Sequence, residues 1–433
     1  MSKEIIVAAV GDLIMKPMLV RLLHAGGKRS GSAGQDKVPY DFGHLFEPVS
    51  RYLQEADLTI GNLETTLAGG TDVSYTKSKR QNGNPVFKSP DGFATALKAA
   101  GFDVLATANN HCMDYGIRGL KRTLDVLDRC GLAHTGTYRS GEESKSLCIR
   151  DVEGVRIGIL SYTRDTNGIP VPKDQAAGVN KLARSRIAND LKRMRAKSDF
   201  IIVCMHTGKE YHRRPSLQQK ELVSYLFRQG ADVVLGAHPH VLQPAVCRTV
   251  KDVNGRTRRR LAIYSLGNFI STRLHGLDDA LTGMIARVKL RKTSDGSVRL
   301  AGFDYVPTWV SIEKDGGRHP CQVVPLRPAL LASDRGPAGQ KVRMNRAYRR
   351  AQRMYQGVLP LLEELPDAGS APESRIASVT DVPIEEPADA GSAQESRTAS
   401  EPDVPVEEPP GSGAPPDSRT ASEPDAPAIM DSP

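Results

Sequence analysis

Seven short apolar runs divide the first two thirds of the chain: "EIIVAAV", "DLTIG", "FDVLATA", "VRIGILSY", "DFIIVCM", "ADVVLGA" and "RLAIYSL". Each has the length of a buried strand and is bounded by polar or glycine-bearing sequence. Several of the intervals carry a helical period instead. Leu120, Leu124 and Leu127 share one helix face, with Gly131 placed to end it. Ile187, Leu191 and Met194 share another, and Ser216 stands as an N-cap before Leu222, Val223 and Leu226, with Gly230 as the stop. Strands alternating with helices specify an α/β architecture. Two long low-pattern loops interrupt it, "HAGGKRSGSAGQDKVP" and "GGTDVSYTKSKRQNGNP". Loops of that length inside a compact domain are commonly lids or binding loops.

The pattern stops well before the end of the chain. Residues 363–433 contain no aromatic residue and repeat the motif "ESRTASEPDVPVEE", with Arg375, Arg397 and Arg419 each 22 residues apart. A repeat of Pro, Ala, Ser, Glu and Asp cannot bury enough apolar surface to offset its ordering entropy, so a disordered acidic tail is expected. Between it and the body, residues 327–362 hold the basic, helix-favouring run "KVRMNRAYRRAQRMYQGVL" and read as a helical linker. The main domain is expected over residues 1–326.

Charge follows the same division. The tail carries 17 acidic residues against three arginines, a net of −14, whereas residues 1–362 hold 56 basic against 33 acidic residues, a net of +23. A body that basic attracts acidic polymers or peptides, and its own tail is a further possible contact. No nucleic-acid reading module is evident, so no specific nucleic-acid partner is expected. The most apolar N-terminal run is broken by Asp12 and lacks a small-residue cleavage site, so neither a membrane span nor a signal peptide is read there, and a cytoplasmic location is expected. Six scattered cysteines form no C-x-x-C pair, which excludes a disulfide framework and a thiolate metal site.

Chemistry gathers where five of the strands end. Gly11-Asp12 follows the first, and "GNLE", ending in Glu64, follows the second. "NNHCMDYG" follows the third and supplies Asn109, Asn110, His111 and Asp114. His206 ends the fifth, and "GAHPH" places His238 and His240 after the sixth. A buried strand has no use for two histidines one residue apart, whereas a metal site does. In open α/β sheets, sites lie beyond the carboxyl ends of the strands. Carboxylate, amide and imidazole donors there suit Mn, Fe or Zn.

With these motifs in place, the chain resembles the CapA family of poly-γ-glutamate capsule proteins, within the calcineurin-like metallophosphatase superfamily. The resemblance rests on "GDLIM", "ADLTIGNLET", "VFKSPDGFATALKAAGFDVLATANNHCMDYG", "MHTGKEYHRRPSLQQ", "GADVVLGAHPHVLQP" and "YSLGNF", over about residues 4–310. It implies a two-sheet αββα sandwich of the metallo-dependent phosphatase type. It also implies that Asp12 and His240 bind a first metal, that Asn110, His206 and His238 bind a second, and that Glu64 bridges them. His111 matches the general acid that protonates a leaving group, with Asp114 as the residue that orients it. Lys209, Glu210 and Tyr211, after His206, are candidates for the substrate pocket. Lys88, in "FKSP", and Asn268, in "YSLGNF", match motif positions near the site without a derivable role. One departure is plain. The superfamily pattern opens D-x-H, and the position of that histidine is Ile14, which cannot ligate. Two divalent cations, one, or none all stay open.

Three functions follow as expectations. The first is hydrolysis of an acidic peptide or a poly-γ-glutamate-type substrate by metal-activated water. The second is a cytosolic peptide-modifying enzyme, a Cα epimerase of a ribosomal peptide, in which Asp12 and one of His111, His206, His238 or His240 act as acid and base without metal. The third is a non-catalytic role in assembling capsule polymer.

Overall fold

The computed structural model describes residues 4–24, 40–69, 85–313, 320–332 and 340–358. The two long loops lie outside the described residues except at their ends, and the acidic repeat lies wholly outside them.

Strand β1 (Glu4–Leu13) is central to an eight-stranded sheet. On one side it pairs in parallel with β2 (Leu58–Leu63), followed by β3 (Val104–Ala106) and β4 (Ala133–Thr135). On the other it pairs antiparallel with β12 (Thr282–Lys292), followed by β13 (Val298–Ile312) and β14 (Cys321–Pro325). Short β11 (Asn268–Ile270) runs parallel beside the end of β1. The second sheet has six strands. Its parallel centre is β6 (Val155–Thr163), β7 (Phe200–His206), β8 (Val233–Ala237) and β10 (Thr257–Leu266). Antiparallel β5 (Cys148–Val152) and β9 (Leu242–Lys251) form its two edges.

The period-2 alternation of strand side chains explains the layering. From β1, Val7 and Ala9 enter the core between the sheets, beside Ile157, Ile202 and Val233 of the second sheet. Ala8 and Val10 face the other way, onto helices. That outer layer draws on α1 (Pro17–Leu22), α2 (Glu47–Gln54), α3 (Gly92–Ala100) and α4 (Gly116–Arg129). The second sheet is covered by α5 (Arg184–Arg195) and α6 (Leu217–Gln229). The result is the αββα sandwich expected. Helix α6 begins as read, with a capping box between Ser216 and Gln219, and ends at Gly230 in the left-handed region.

The basic run after residue 326 behaves differently from a solvated linker. After α7 (Pro328–Ala332), it forms α8 (Lys341–Tyr355), which is amphipathic. Met344 and Ala347 are buried in the first helix layer, and Ala351 and Tyr355 reach the core between the sheets. Trp309 donates its indole N–H to Gln340 at 2.8 Å, and the Tyr355 hydroxyl donates to the Gln243 carbonyl of β9 at 2.6 Å. Arg346, Arg349 and Arg353 are exposed on the other side of the helix, whereas Arg343 and Arg350 flank the stripe and pair with Asp278 and Asp279.

Among the described residues, no helix is long and apolar enough to cross a membrane. All six cysteines are free thiols.

Candidate metal centre

The carboxyl ends of β1, β2, β3, β7 and β8 meet at one place, and the polar residues that follow them are buried together. Asp12 and Glu64 have no exposed surface, and Asn110, His111, His206 and His240 are nearly as enclosed. Close backbone approach makes this possible at Gly236. A Cβ there would stand 2.0 Å from the Tyr264 carbonyl oxygen of β10, so the strand that launches the two histidines requires glycine. Beyond it the chain turns sharply. His238 and His240 adopt φ of 96° and 60°, and Tyr211, whose N–H is bonded to the Pro239 carbonyl at 2.8 Å, adopts 61°. Non-glycine residues in that region each cost about 1–3 kcal/mol, and such strain gathers at functional sites.

Two groups of donors result, and they share one residue. Glu64, His206 and His238 form the first, Asp12, Glu64 and His240 the second, with the ligand atoms of each group within 4.8 Å of one another. Asn110 joins the former, its Oδ1 2.9 Å from His206 Nε2. Glu64 is the informative member. Neither of its carboxylate oxygens receives a hydrogen bond among the described residues, although both are buried. Burial, and then the negative charge of Asp12, push its pKa well above the usual carboxylate range. A buried carboxylate beside another, with no donor, calls for a proton or a cation.

The other members are poised accordingly. Burial alone would raise Asp12, but the hydrogen bond and charge of His240 outweigh it and hold the carboxyl at about 2. Burial, joined by the like charge of neighbouring histidines, drives His206 and His238 down to about 3, which leaves both neutral with lone pairs available. Burial also acts to lower His240, yet the charge of Glu64 and the bond to Asp12 prevail and raise it to about 9. This histidine therefore carries the positive charge that the carboxylates need when no cation is bound. The donor set, with two buried carboxylates, neutral imidazoles and an amide oxygen, is chemically suited to a divalent metal.

Hydrogen bonds fix the orientation of the ligands. His240 Nδ1 lies 3.1 Å from both Asp12 Oδ2 and Asn268 Oδ1, while Asn268 donates to the Ala280 carbonyl at 2.8 Å. Asn268 thus acquires a role its motif did not reveal: it sets the ring of His240. Asn62 does the same elsewhere. It donates to Asp12 Oδ1 at 2.7 Å and lies 3.2 Å from His206 Nδ1. His111 follows Asn110 in the chain and belongs to neither group. Its Nδ1 lies 2.7 Å from Asp114 Oδ2, which also accepts the Phe87 N–H at 2.7 Å, and the Phe87 ring packs 4.2 Å from the imidazole. Nε2 is left facing Asn167, whose Nδ2 is 3.5 Å away.

The remaining expected residues divide. The Tyr211 ring lies 5.9 Å from that of His240, tilted by 39°, and the charge of Glu210 acts on His238 and His240. Lys209 is exposed on the same loop. The Lys88 ammonium lies 5.5 Å from the centre of the Tyr115 ring, beside α4 rather than among the ligands. Ile14 is fully buried and contributes no donor. Sequence reasoning missed Asn62, Asn167 and Lys16. Lys16 is half-buried, and burial lowers its pKa to about 8 against the raising charges of Glu64 and Glu210. Its signal was faint: a lysine four residues beyond the Asp12 that opens the motif.

Residues 6–273 match the profile of a family described as bacterial capsule synthesis protein PGA_cap. The capsule biosynthesis protein CapA of Bacillus anthracis is 31% identical over 237 residues, covering 53% of this chain and 54% of that protein. The PGA biosynthesis protein CapA of Bacillus subtilis (strain 168) is 27% identical over 274 residues, covering 63% and 68%. The chain thus matches about half the length of the first relative. Among solved structures, a 5'-nucleotidase precursor from Thermus thermophilus is similar with a TM-score of 0.40 and 14% identity, covering 81% of this chain and 59% of that one. The NAD nucleotidase of Haemophilus influenzae gives 0.41 and 13%, with 81% and 60% covered.

Proposed function

Since the chain belongs to the bacterial capsule synthesis protein family PGA_cap, we propose that it is a metal-dependent hydrolase acting on an acidic peptide or a poly-γ-glutamate-type chain. The observation that carries this reading is Glu64, buried without a donor and common to both ligand groups. Asp12, Glu64 and His240 would hold one divalent cation, and Glu64, Asn110, His206 and His238 another, with Mn, Fe or Zn as the ions of choice. Bound cations supply activation of water and relief of developing negative charge. The protein's own groups do the rest. His111, as the imidazolium, donates from Nδ1 to Asp114, which fixes the ring's orientation, and would give its Nε2 proton to the leaving group to become the neutral imidazole. The Lys16 ammonium and the basic surroundings attract the carboxylates of the substrate.

A second reading rests on the Asp12–His240 pair. Its 3.1 Å hydrogen bond satisfies the charge of one ligand group with a proton alone, and Ile14 offers nothing further to a metal there. On that reading the chain epimerises a peptide Cα by proton transfer.

Metal analysis by mass spectrometry separates the two. The hydrolase reading expects one or two equivalents of Mn, Fe or Zn in the purified protein, and oligo-γ-glutamate cleavage that a chelator stops. His238→Ala is expected to weaken metal binding by about 10- to 100-fold or more. Folded, metal-free protein that exchanges deuterium into one peptide Cα would reverse the conclusion.

Metal affinity should also depend on pH in a stated direction. At neutral pH the raised His240 is protonated, and a cation must displace that proton. Affinity measured by competition with a chromogenic chelator is expected to rise by up to about tenfold per pH unit toward 9, and to level off above it. A flat profile would remove His240 from the ligand set.

A further inference from the structure

At the opposite, amino ends of the second sheet's strands lies an open cavity of about 550 Å³. Its lining contributes five guanidiniums, from Arg156, Arg195, Arg256, Arg258 and Arg299, against two carboxylates, Asp199 and Asp295. It is remote from the metal centre: β7 alone, from Phe200 to His206, separates the two by about 20 Å at roughly 3.3 Å per residue.

The acids nearby are already committed. Arg156 forms an ion pair with Asp199 at 2.9 Å, and Arg299 with Asp295 at 3.3 Å. Behind the cavity, the single buried carboxylate of Asp232 faces three guanidiniums: Arg195 at 2.5 Å, Arg260 at 3.3 Å and Arg258 at 3.9 Å. Arg260 needs a second carboxylate, Asp252, at 2.7 Å. Arg258 is left with one carbonyl, that of Val298, at 3.1 Å. Burial, together with the like charges of Arg195, Arg256 and Arg260, disfavours its charge. Arg195 is held by the Asp199 and Gly230 carbonyls as well as by Asp232, whereas the exposed Arg256 guanidinium makes no hydrogen bond or ion pair among the described residues.

We propose that this cavity is a second binding site, for a stretch of acidic polypeptide whose pendant carboxylates pair with Arg256 and Arg258. Guanidinium forks match carboxylates geometrically, and the missing partner of the cluster is an anion. Asp199, Asp295 and the hydroxyls of Ser198 and Ser297 are interspersed among the arginines. That alternation suits single charges spaced along a chain better than contiguous phosphates. The choice of an acidic chain rests on the substrate class proposed above, whereas the need for an anion does not. Such a site would hold a polymer at a distance from the metal centre and raise its local concentration there.

The test is fluorescence anisotropy of a labelled oligo-γ-glutamate with the full chain in chelator, with hydrolysis read separately after metal is restored. Arg256→Glu changes an exposed side chain that makes no contact, so folding is preserved, and it is expected to weaken binding about tenfold or more. Arg258→Ala should do the same. Binding that survives both arginine variants, or an absence of binding to the unaltered protein, would overturn the site. Displacement by inorganic triphosphate at lower concentrations than unlabelled oligo-γ-glutamate would make it a phosphate site and overturn the carboxylate assignment. Intact, arginine-dependent binding without hydrolysis would defeat the hydrolase reading and keep this one.

Discussion

Glu64→Gln is expected to strip metal from the protein, abolish hydrolysis and, at the same time, stabilise the metal-free fold. The two effects have one cause. Glu64 is buried beside Asp12 without a hydrogen bond, and in the absence of a cation its nearest positive charge is His240, whose Nε2 lies 3.9 Å from Oε1. Glutamine keeps the shape and removes the charge. Loss of the residue shared by both ligand groups should lower activity by more than about a hundredfold. For stability, the sign follows from the raised pKa. A carboxyl whose pKa is higher folded than unfolded makes the native state lose stability as pH climbs past its ordinary value of 4.5. While Glu64 stays protonated in the fold, the penalty grows by about 1.4 kcal/mol per pH unit above that value. Urea unfolding of chelated wild type and variant at several pH values should therefore show curves that diverge as pH rises, the variant above. Parallel curves would mean that another group compensates Glu64.

His111→Gln should separate chemistry from metal binding. His111 stands outside both ligand groups, so metal content should be unchanged. General acid catalysis contributes about 10²–10⁴-fold, and kcat is expected to fall within that range with KM little altered. Asp114→Asn should give a smaller loss of kcat, again with metal content unchanged, because the carboxylate 2.7 Å from Nδ1 is gone. Equal losses of kcat and of bound metal in His111→Gln would place this histidine among the ligands instead.

Several features of this site are legible in the chain alone. Strand ends announce themselves when an apolar run stops at a polar residue, and that is how Asp12, Glu64, His206 and the "HPH" histidines stand out. The seven central strands are readable because both their faces are buried. Strands β9, β12 and β13 are not, since one face of each meets solvent and charged residues such as Arg287, Lys289 and Arg299 break up the apolar run. Asn62 and Asn167 are invisible for another reason. An asparagine in a strand or turn looks the same whether or not it positions a histidine, and only the partners at 3.2 Å and 3.5 Å reveal it. The α8 reading erred through charge: five arginines and a lysine over Lys341–Tyr355 conceal the stripe of Met344, Ala347, Ala351 and Tyr355.

That stripe makes the C-terminal helix a lock on the whole sandwich. The family match ends at residue 273, yet the last apolar plug of the inter-sheet core comes from Tyr355, whose hydroxyl holds β9 by Gln243. Gln243 in turn bonds Gln219 of α6 at 3.0 Å and the carbonyl of His212, on the loop that carries Tyr211. A protease that clipped the exposed basic face of this helix would therefore do more than trim an appendage. It would loosen the loop that frames the candidate metal centre, so the lifetime of that donor arrangement is tied to a segment that contributes none of its donors.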